Sequence, residues 1–148
     1  MVQTESNETQ KKRTKPFIHQ VKLHGPKGEI VQVWSLFDNG AMVDAMSMET
    51  YKCVRHRLSP LGRSTRCLKM ANRNIVDPLG CWKGMVELGS TTVEGLFEVF
   101  DSGGSWDFLF GKMLMTAFEA VHNYVVDQVF IPRHHLTLQN QHNIATQQ

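Results

Sequence analysis

A two-residue alternation of apolar and polar side chains, broken by clusters of turn residues, most constrains what this chain can fold into. Residues 20–24 run through Gly25-Pro26-Lys27-Gly28 into residues 29–37, a hairpin signature with strong turn chemistry. Along the second arm Ile30, Gln32 and Trp34 fall on one face and Val31, Val33 and Ser35 on the other, ending in Leu36-Phe37. Residues 85–88, a Gly89-Ser90 turn and residues 92–100 predict a second hairpin. Residues 125–131 predict a last strand stopped by Pro132, which cannot donate to a sheet ladder.

Two short helices interrupt this pattern. Ser47 is suited to cap the first, with Glu49 in its opening turn and Arg55, His56 and Arg57 at its end, each charge complementing the helix dipole. Met48, Tyr51, Val54 and Leu58 share a face of it. The second follows Gly111, with Leu114, Ala117, Phe118 and Val121 at helical spacing. Strands dominate, so the expected class is mainly β with one or two short helices. The eight methionines are expected to fill the core.

The organisation reads as one folded unit between two tails. Residues 1–16 are polar and charged, and residues 133–148 are rich in Gln, Asn and His; both predict disorder. Residues 17–132 then form the domain. No apolar run is long enough for a membrane span, and the first residues lack an apolar segment of the secretory kind. The three cysteines, Cys53, Cys67 and Cys81, form no C-x-x-C pair. Their odd number predicts reduced thiols in an intracellular, cytoplasmic setting. Cys53 with His56 is half of a metal site with no second half, and His134-His135 lies in the expected tail, so no metal and no cofactor is expected.

Net charge is +2, yet residues 17–132 hold 11 basic and 12 acidic side chains. A near-neutral body is a poor electrostatic footprint for nucleic acid. Lys52, Arg55, Arg57, Arg63, Arg66, Lys69 and Arg73 do occur without an acid among them; a solvated face explains them more simply than a binding patch.

Asp38-Asn39-Gly40-Ala41 follows the apolar stretch 33–37 directly. A carboxylate at the end of a buried strand, followed by a tight glycine turn, is held rigidly at the floor of a cleft. Alone, Asp-x-Gly is a common strand exit. Asp101-Ser102-Gly103 is a second such triplet, but Gly104 follows at once and a strand resumes near Asp107, so it reads as a loop. Phe108-Leu109-Phe110-Gly111 then supplies an apolar strand closed by a glycine that admits a close backbone approach, followed by a helix.

Asp-x-Gly-Ala after an apolar strand, a turn-rich hairpin, and apolar-apolar-Gly plus helix resemble, in that order, the retropepsins. These are the single-lobe aspartic proteases of retroviruses, LTR retrotransposons and the DNA-damage-inducible protein group. DNGAMVDAMS (38–47), RCLKMANRNIVDPLGCWKGMVEL (66–88) and GLFEVFDSGGSWDFLFGKMLMTAFEAVHNY (95–124) are most similar to the protease-like segment of fungal LTR retrotransposon polyproteins. The resemblance spans residues 17–132 and implies a closed β-barrel.

It also implies that Asp38 is the catalytic carboxylate, with Asn39, Gly40 and Ala41 completing its loop. Leu109, Phe110 and Gly111 would form the strand behind that loop. A substrate-covering flap would come from residues 69–84, turning near 72–74 or 77–80. Aspartic proteolysis needs two carboxyls sharing one proton, and one per chain implies a homodimer with Asp38 facing its copy. The implied substrate is an extended peptide or polyprotein. Family members usually carry Thr or Ser after this Asp, to tie the two loops across the dimer; Asn39 departs from that. Met113 departs too, standing where the fungal version has Pro. Two readings follow, an aspartic endopeptidase or a catalytically inactive retropepsin-fold module for dimerisation or peptide binding.

Overall fold

The computed structural model describes residues 15–64, 68–69, 75–76 and 78–146. Strands β1 (Phe17–His24) and β2 (Ile30–Phe37) form the first expected hairpin, with Phe17 opposite Phe37 and His24 opposite Ile30. Gly28 takes φ 85° in its turn, a conformation costly for a residue with a Cβ. The alternation on β2 holds: Val31, Val33, Ser35 and Phe37 are buried, while Ile30, Gln32, Trp34 and Leu36 face the other way.

Strand β3 (Ala45–Ser47) leads into helix α1 (Met48–Val54), where Ser47 Oγ accepts the Thr50 N–H at 3.1 Å as the expected cap. A 3-10 turn, Arg55–Arg57, follows. Short strands β4 (Leu68–Lys69) and β5 (Ile75–Val76) pair antiparallel. Strands β6 (Gly80–Leu88) and β7 (Thr91–Phe100) make the long hairpin across Gly89-Ser90. Then come β8 (Phe108–Phe110), α2 (Lys112–Ala117), β9 (Val121–Asn123), β10 (Gln128–Ile131), a 3-10 turn (Pro132–His134), β11 (Leu136–Gln139) and α3 (His142–Thr146).

Six strands close into a barrel in the order β1-β2-β8-β3-β7-β6, and β9, β10 and β11 form a separate three-stranded sheet. The mainly β class is thus as expected, with three short α-helices among the described residues. The main core holds Val21, Leu23, Trp82, Val86, Phe97, Phe108 and Phe110, with Leu114 and Phe118 from the region of α2. An aromatic run crosses it: Phe37 stacks on Phe110 at 4.2 Å between centroids, and Phe17 meets Phe37 edge-on at 5.1 Å.

Several expectations need correction. The strand predicted over 125–131 begins only at Gln128, because Asn123 Oδ1 accepts from the N–H groups of Val125 (3.0 Å) and Val126 (3.4 Å) and bends residues 124–127 into a turn. Val121 starts β9 rather than extending the helical face. The segment 133–146 is ordered instead of forming a tail: β11 pairs with β10, and Leu138 is buried. The side chains of Asn140 and Gln141 imitate a strand partner for β1. Asn140 Oδ1 accepts from Ile18 N at 3.0 Å, Gln141 Oε1 accepts from Gln20 N at 2.9 Å, and Gln141 N donates to Ile18 O at 2.7 Å. The amides that suggested low complexity therefore satisfy backbone groups. Of the expected N-terminal tail, residues 1–14 lie outside the described residues. Lys15 reaches Asn143 Oδ1 at 3.3 Å.

Candidate active site

The barrel order creates the geometry around Asp38. β8 lies between β2, which it pairs in parallel (Phe37 opposite Phe110), and β3, which it pairs antiparallel (Ala45 opposite Leu109). The connection from β2 to β3, residues 38–44, must therefore cross the end of β8, where Gly111 sits. Asp38 N donates to Phe110 O at 2.9 Å, and Lys112 N donates to Ala41 O at 2.9 Å. The loop is stitched to β8 and to the start of α2 from both sides.

Within the loop Asp38 is exposed; its Oδ1 accepts from Gly40 N at 2.9 Å and its carbonyl accepts from Ala41 N at 3.1 Å. The exposed carboxyl is thus held by its own turn, above a strand whose two faces pack in different cores. Phe37 and Phe110 lie in the main core, whereas Leu109 joins Ala45 and Phe100 in a second one, with Leu36, Ala41, Val43 and Trp106 against it. The structure brings together Asp38, Asn39, Gly40, Ala41, Leu109, Phe110 and Gly111, all seven residues singled out from sequence.

Sequence reasoning missed Asp44. Its carboxyl is buried, and Oδ1 accepts from Gly111 N at 2.7 Å and Leu114 N at 3.4 Å, closing the loop onto the first turn of α2. An acidic residue six positions after Asp38 and close before an apolar strand was the available signal, but only the crossing over β8 gives it a partner.

The closed six-stranded barrel has counterparts among solved structures. The retroviral protease-like domain of Ddi1 from Leishmania major is 14% identical, with a TM-score of 0.62 over 85% of this chain and 93% of that one. The fold is that of the retropepsins. The EIAV protease in complex with the inhibitor HBY-793 is also 14% identical, with a TM-score of 0.51 over 70% of this chain and 88% of that one. No protein-family model and no curated protein matches the sequence.

On this retropepsin fold, the residue after Asp38 makes a contact within its own chain. Asn39 Nδ2 donates to Tyr124 Oη at 3.0 Å. Asn39 also lines a cavity of about 590 Å³ with Met115, Thr116, Ala120, Val121 and His122.

In the expected flap region, β4 and β5 pair antiparallel. The turn expected at 72–74 lies outside the described residues. Of the alternative turn at 77–80, Asp77 lies outside the described residues and Gly80 begins β6. Trp82 is a fully buried core residue. Asp101-Ser102-Gly103 is a loop, with Gly103 N donating to Asp101 Oδ1 at 2.8 Å. Lys52, Arg55, Arg57 and Arg63 are exposed, and Arg57 donates to Ile30 O at 2.7 Å; Arg66 and Arg73 lie outside the described residues. Among the described residues no group of His, Cys, Asp and Glu could hold a metal ion, and no helix is long and apolar enough to cross a membrane.

His122 is the notable titratable neighbour of the Asn39–Tyr124 contact. Its side chain is 4% exposed and stands 3.9 Å from Asp127, beyond hydrogen-bond range. Its ring lies 4.0 Å from that of Tyr124, tilted by 30°, and meets Phe17 edge-on at 5.0 Å. Burial pushes its pKa below the ordinary 6.5, with Asp127 opposing. Burial lowers His19 as well, against the pull of the Gln20 carbonyl. A folded-state pKa below the unfolded one means that the unfolded chain binds protons first. The stability associated with the neutral rings is therefore complete above pH 6.5 and is lost as pH falls from there through the folded-state values. Melting temperature should decline between about pH 7 and pH 5, and His122→Phe should flatten that decline. Parallel melts across the range check it; identical slopes would remove His122 from the explanation.

Proposed function

We propose that this chain is an aspartic endopeptidase of retroelement origin, resembling fungal LTR retrotransposon proteases, that acts as a homodimer in an intracellular, cytoplasmic setting. The observation that carries the reading is the exposed Asp38 carboxyl at the end of a buried strand, fixed by Gly40 N and by the bond from Asp38 N to Phe110 O. Two such carboxyls across a two-fold axis share one proton, because like charges that close do not both ionise. The ionised one takes a proton from water as the water attacks the scissile carbonyl, and the protonated one donates to the carbonyl oxygen. An extended peptide or polyprotein segment would lie across the dyad as an added strand, beneath the β4–β5 pair.

The second reading, a catalytically inactive retropepsin-fold module for dimerisation or peptide binding, is favoured by the Asn39–Tyr124 bond, which engages a side chain that would otherwise be free to reach the partner. Pepstatin-sensitive cleavage of a peptide library at mildly acidic pH separates the two. The endopeptidase cleaves, and Asp38→Asn does not. Asn39→Thr tests whether the substituted position limits the rate, and should raise cleavage. Silence of both wild type and Asn39→Thr across the library would select the inactive module.

A further inference from the structure

Beyond Leu138, the last buried side chain among the described residues, hydrogen bonds hold the chain to the barrel; α3 buries no side chain. Asn140 Oδ1 accepts from Ile18 N, Gln141 N donates to Ile18 O, and Gln141 Oε1 accepts from Gln20 N. Asn140 Nδ2 donates to Pro16 O at 3.0 Å and to Asp127 Oδ2 at 2.8 Å. Such bonds add little net stability each, because water replaces them when the segment opens. A unit with few buried apolar contacts opens locally while the rest of the fold stays closed. The seat it covers is apolar. Through Ala145 and Thr146, α3 lines a cavity of about 310 Å³ whose walls include Ile18, Trp34, Leu36 and Trp106. Trp34 and Leu36 lie on the outward face of β2, and the two-residue period carries that face on to Asp38. Leu36, Trp106 and Ala41 of the Asp38 loop pack against one small apolar cluster.

We propose that residues 140–146 form an autoinhibitory strap, lying over the groove at Trp34, Leu36 and Trp106 where a side chain of a substrate held at Asp38 would seat. The amides of Asn140 and Gln141 occupy the β1 edge as the peptide groups of a strand would. That makes the edge open to exchange with a real strand. Ala145 and Thr146 bring only a methyl group and a small hydroxyl side chain to the groove. A substrate carrying a large apolar side chain near its scissile bond buries there what α3 does not, and so displaces it. Only the opened fraction of the chain binds, so the strap raises KM and leaves kcat alone. This inference rests on the endopeptidase reading, whose site it regulates.

Two variants release the strap by different routes. Gln141→Ala deletes the bond to Gln20 N, and Ala145→Glu sets a charge in the apolar groove. Hydrogen exchange at the Ile18 amide, whose own partner Asn140 is untouched, reads the opening without any need for activity. Exchange there should quicken about fivefold in both variants, the effect of one ordinary hydrogen bond, and KM for peptide cleavage should fall by the same factor. Ile144→Glu, an exposed position on α3, should change neither. Unchanged exchange in both variants overturns the strap, because the segment then does not open apart from the barrel. Faster exchange with an unchanged KM also overturns it and leaves the endopeptidase reading standing. Where nothing is cleaved, pepstatin affinity decides. About fivefold tighter binding in both variants keeps the strap and removes the endopeptidase reading, whereas equal or absent binding overturns the strap.

Discussion

Asp38→Asn is expected to lower peptide cleavage by at least about 10⁴-fold, because general acid and general base are lost together in a homodimer. One substitution removes both carboxyls of the dyad. The fold should hardly notice. Asp38 is exposed, and its Oδ1 serves as an acceptor for Gly40 N, a role that an amide oxygen keeps. Stability should therefore stay within about 0.5 kcal/mol of wild type. Cleavage rates and thermal melts on the same preparations check both halves. Retained cleavage in a well-folded Asp38→Asn would falsify the assignment of the carboxylate.

Gly111→Ala should cost about 2–4 kcal/mol and abolish cleavage as well, for a reason that is steric and not conformational. A Cβ at this position would stand 2.6 Å from Val43 O, 2.9 Å from Ala41 O and 3.2 Å from Asp44 Oδ1. Two of the three atoms are backbone of the loop that carries Asp38, so relief requires the loop to lift. Lifting it strains the bonds from Lys112 N to Ala41 O and from Gly111 N to Asp44 Oδ1. Gly62→Ala is the matched control, since its Cβ would meet Cys81 O at an ordinary 3.5 Å. It should lie within about 1 kcal/mol of wild type. Denaturant melts rank the two variants; equal stability of both would mean that the loop yields freely at Gly111.

Much of the fold was legible because its signals are local. Period-two burial on β2, the turn at Gly25-Pro26-Lys27-Gly28, the Gly89-Ser90 reversal and the Ser47 cap each depend on residues a few positions apart. The C-terminal segment was misread because composition stood in for pattern. Leu136-Thr137-Leu138 carries the strand alternation, and Asn140 and Gln141 bond to residues more than a hundred positions away. Side-chain amides that substitute for a strand partner look, in sequence, like the amides of a solvated tail.

By itself, the sequence determined the β1–β2 and β6–β7 hairpins, the helix cap and the candidacy of Asp38-Asn39-Gly40-Ala41 with Leu109-Phe110-Gly111, since strand exits and apolar runs declare themselves within a few residues. Only the tertiary structure decided why these two segments meet. β8 inserts between β2 and β3, so their connection must pass over Gly111, and a buried Asp44 must satisfy the backbone exposed at that crossing. It also decided what Asn39 does, through Tyr124, 85 positions further along the chain. Local propensity carries no information about which distant hydroxyl a side-chain amide will find; the closing of the barrel does.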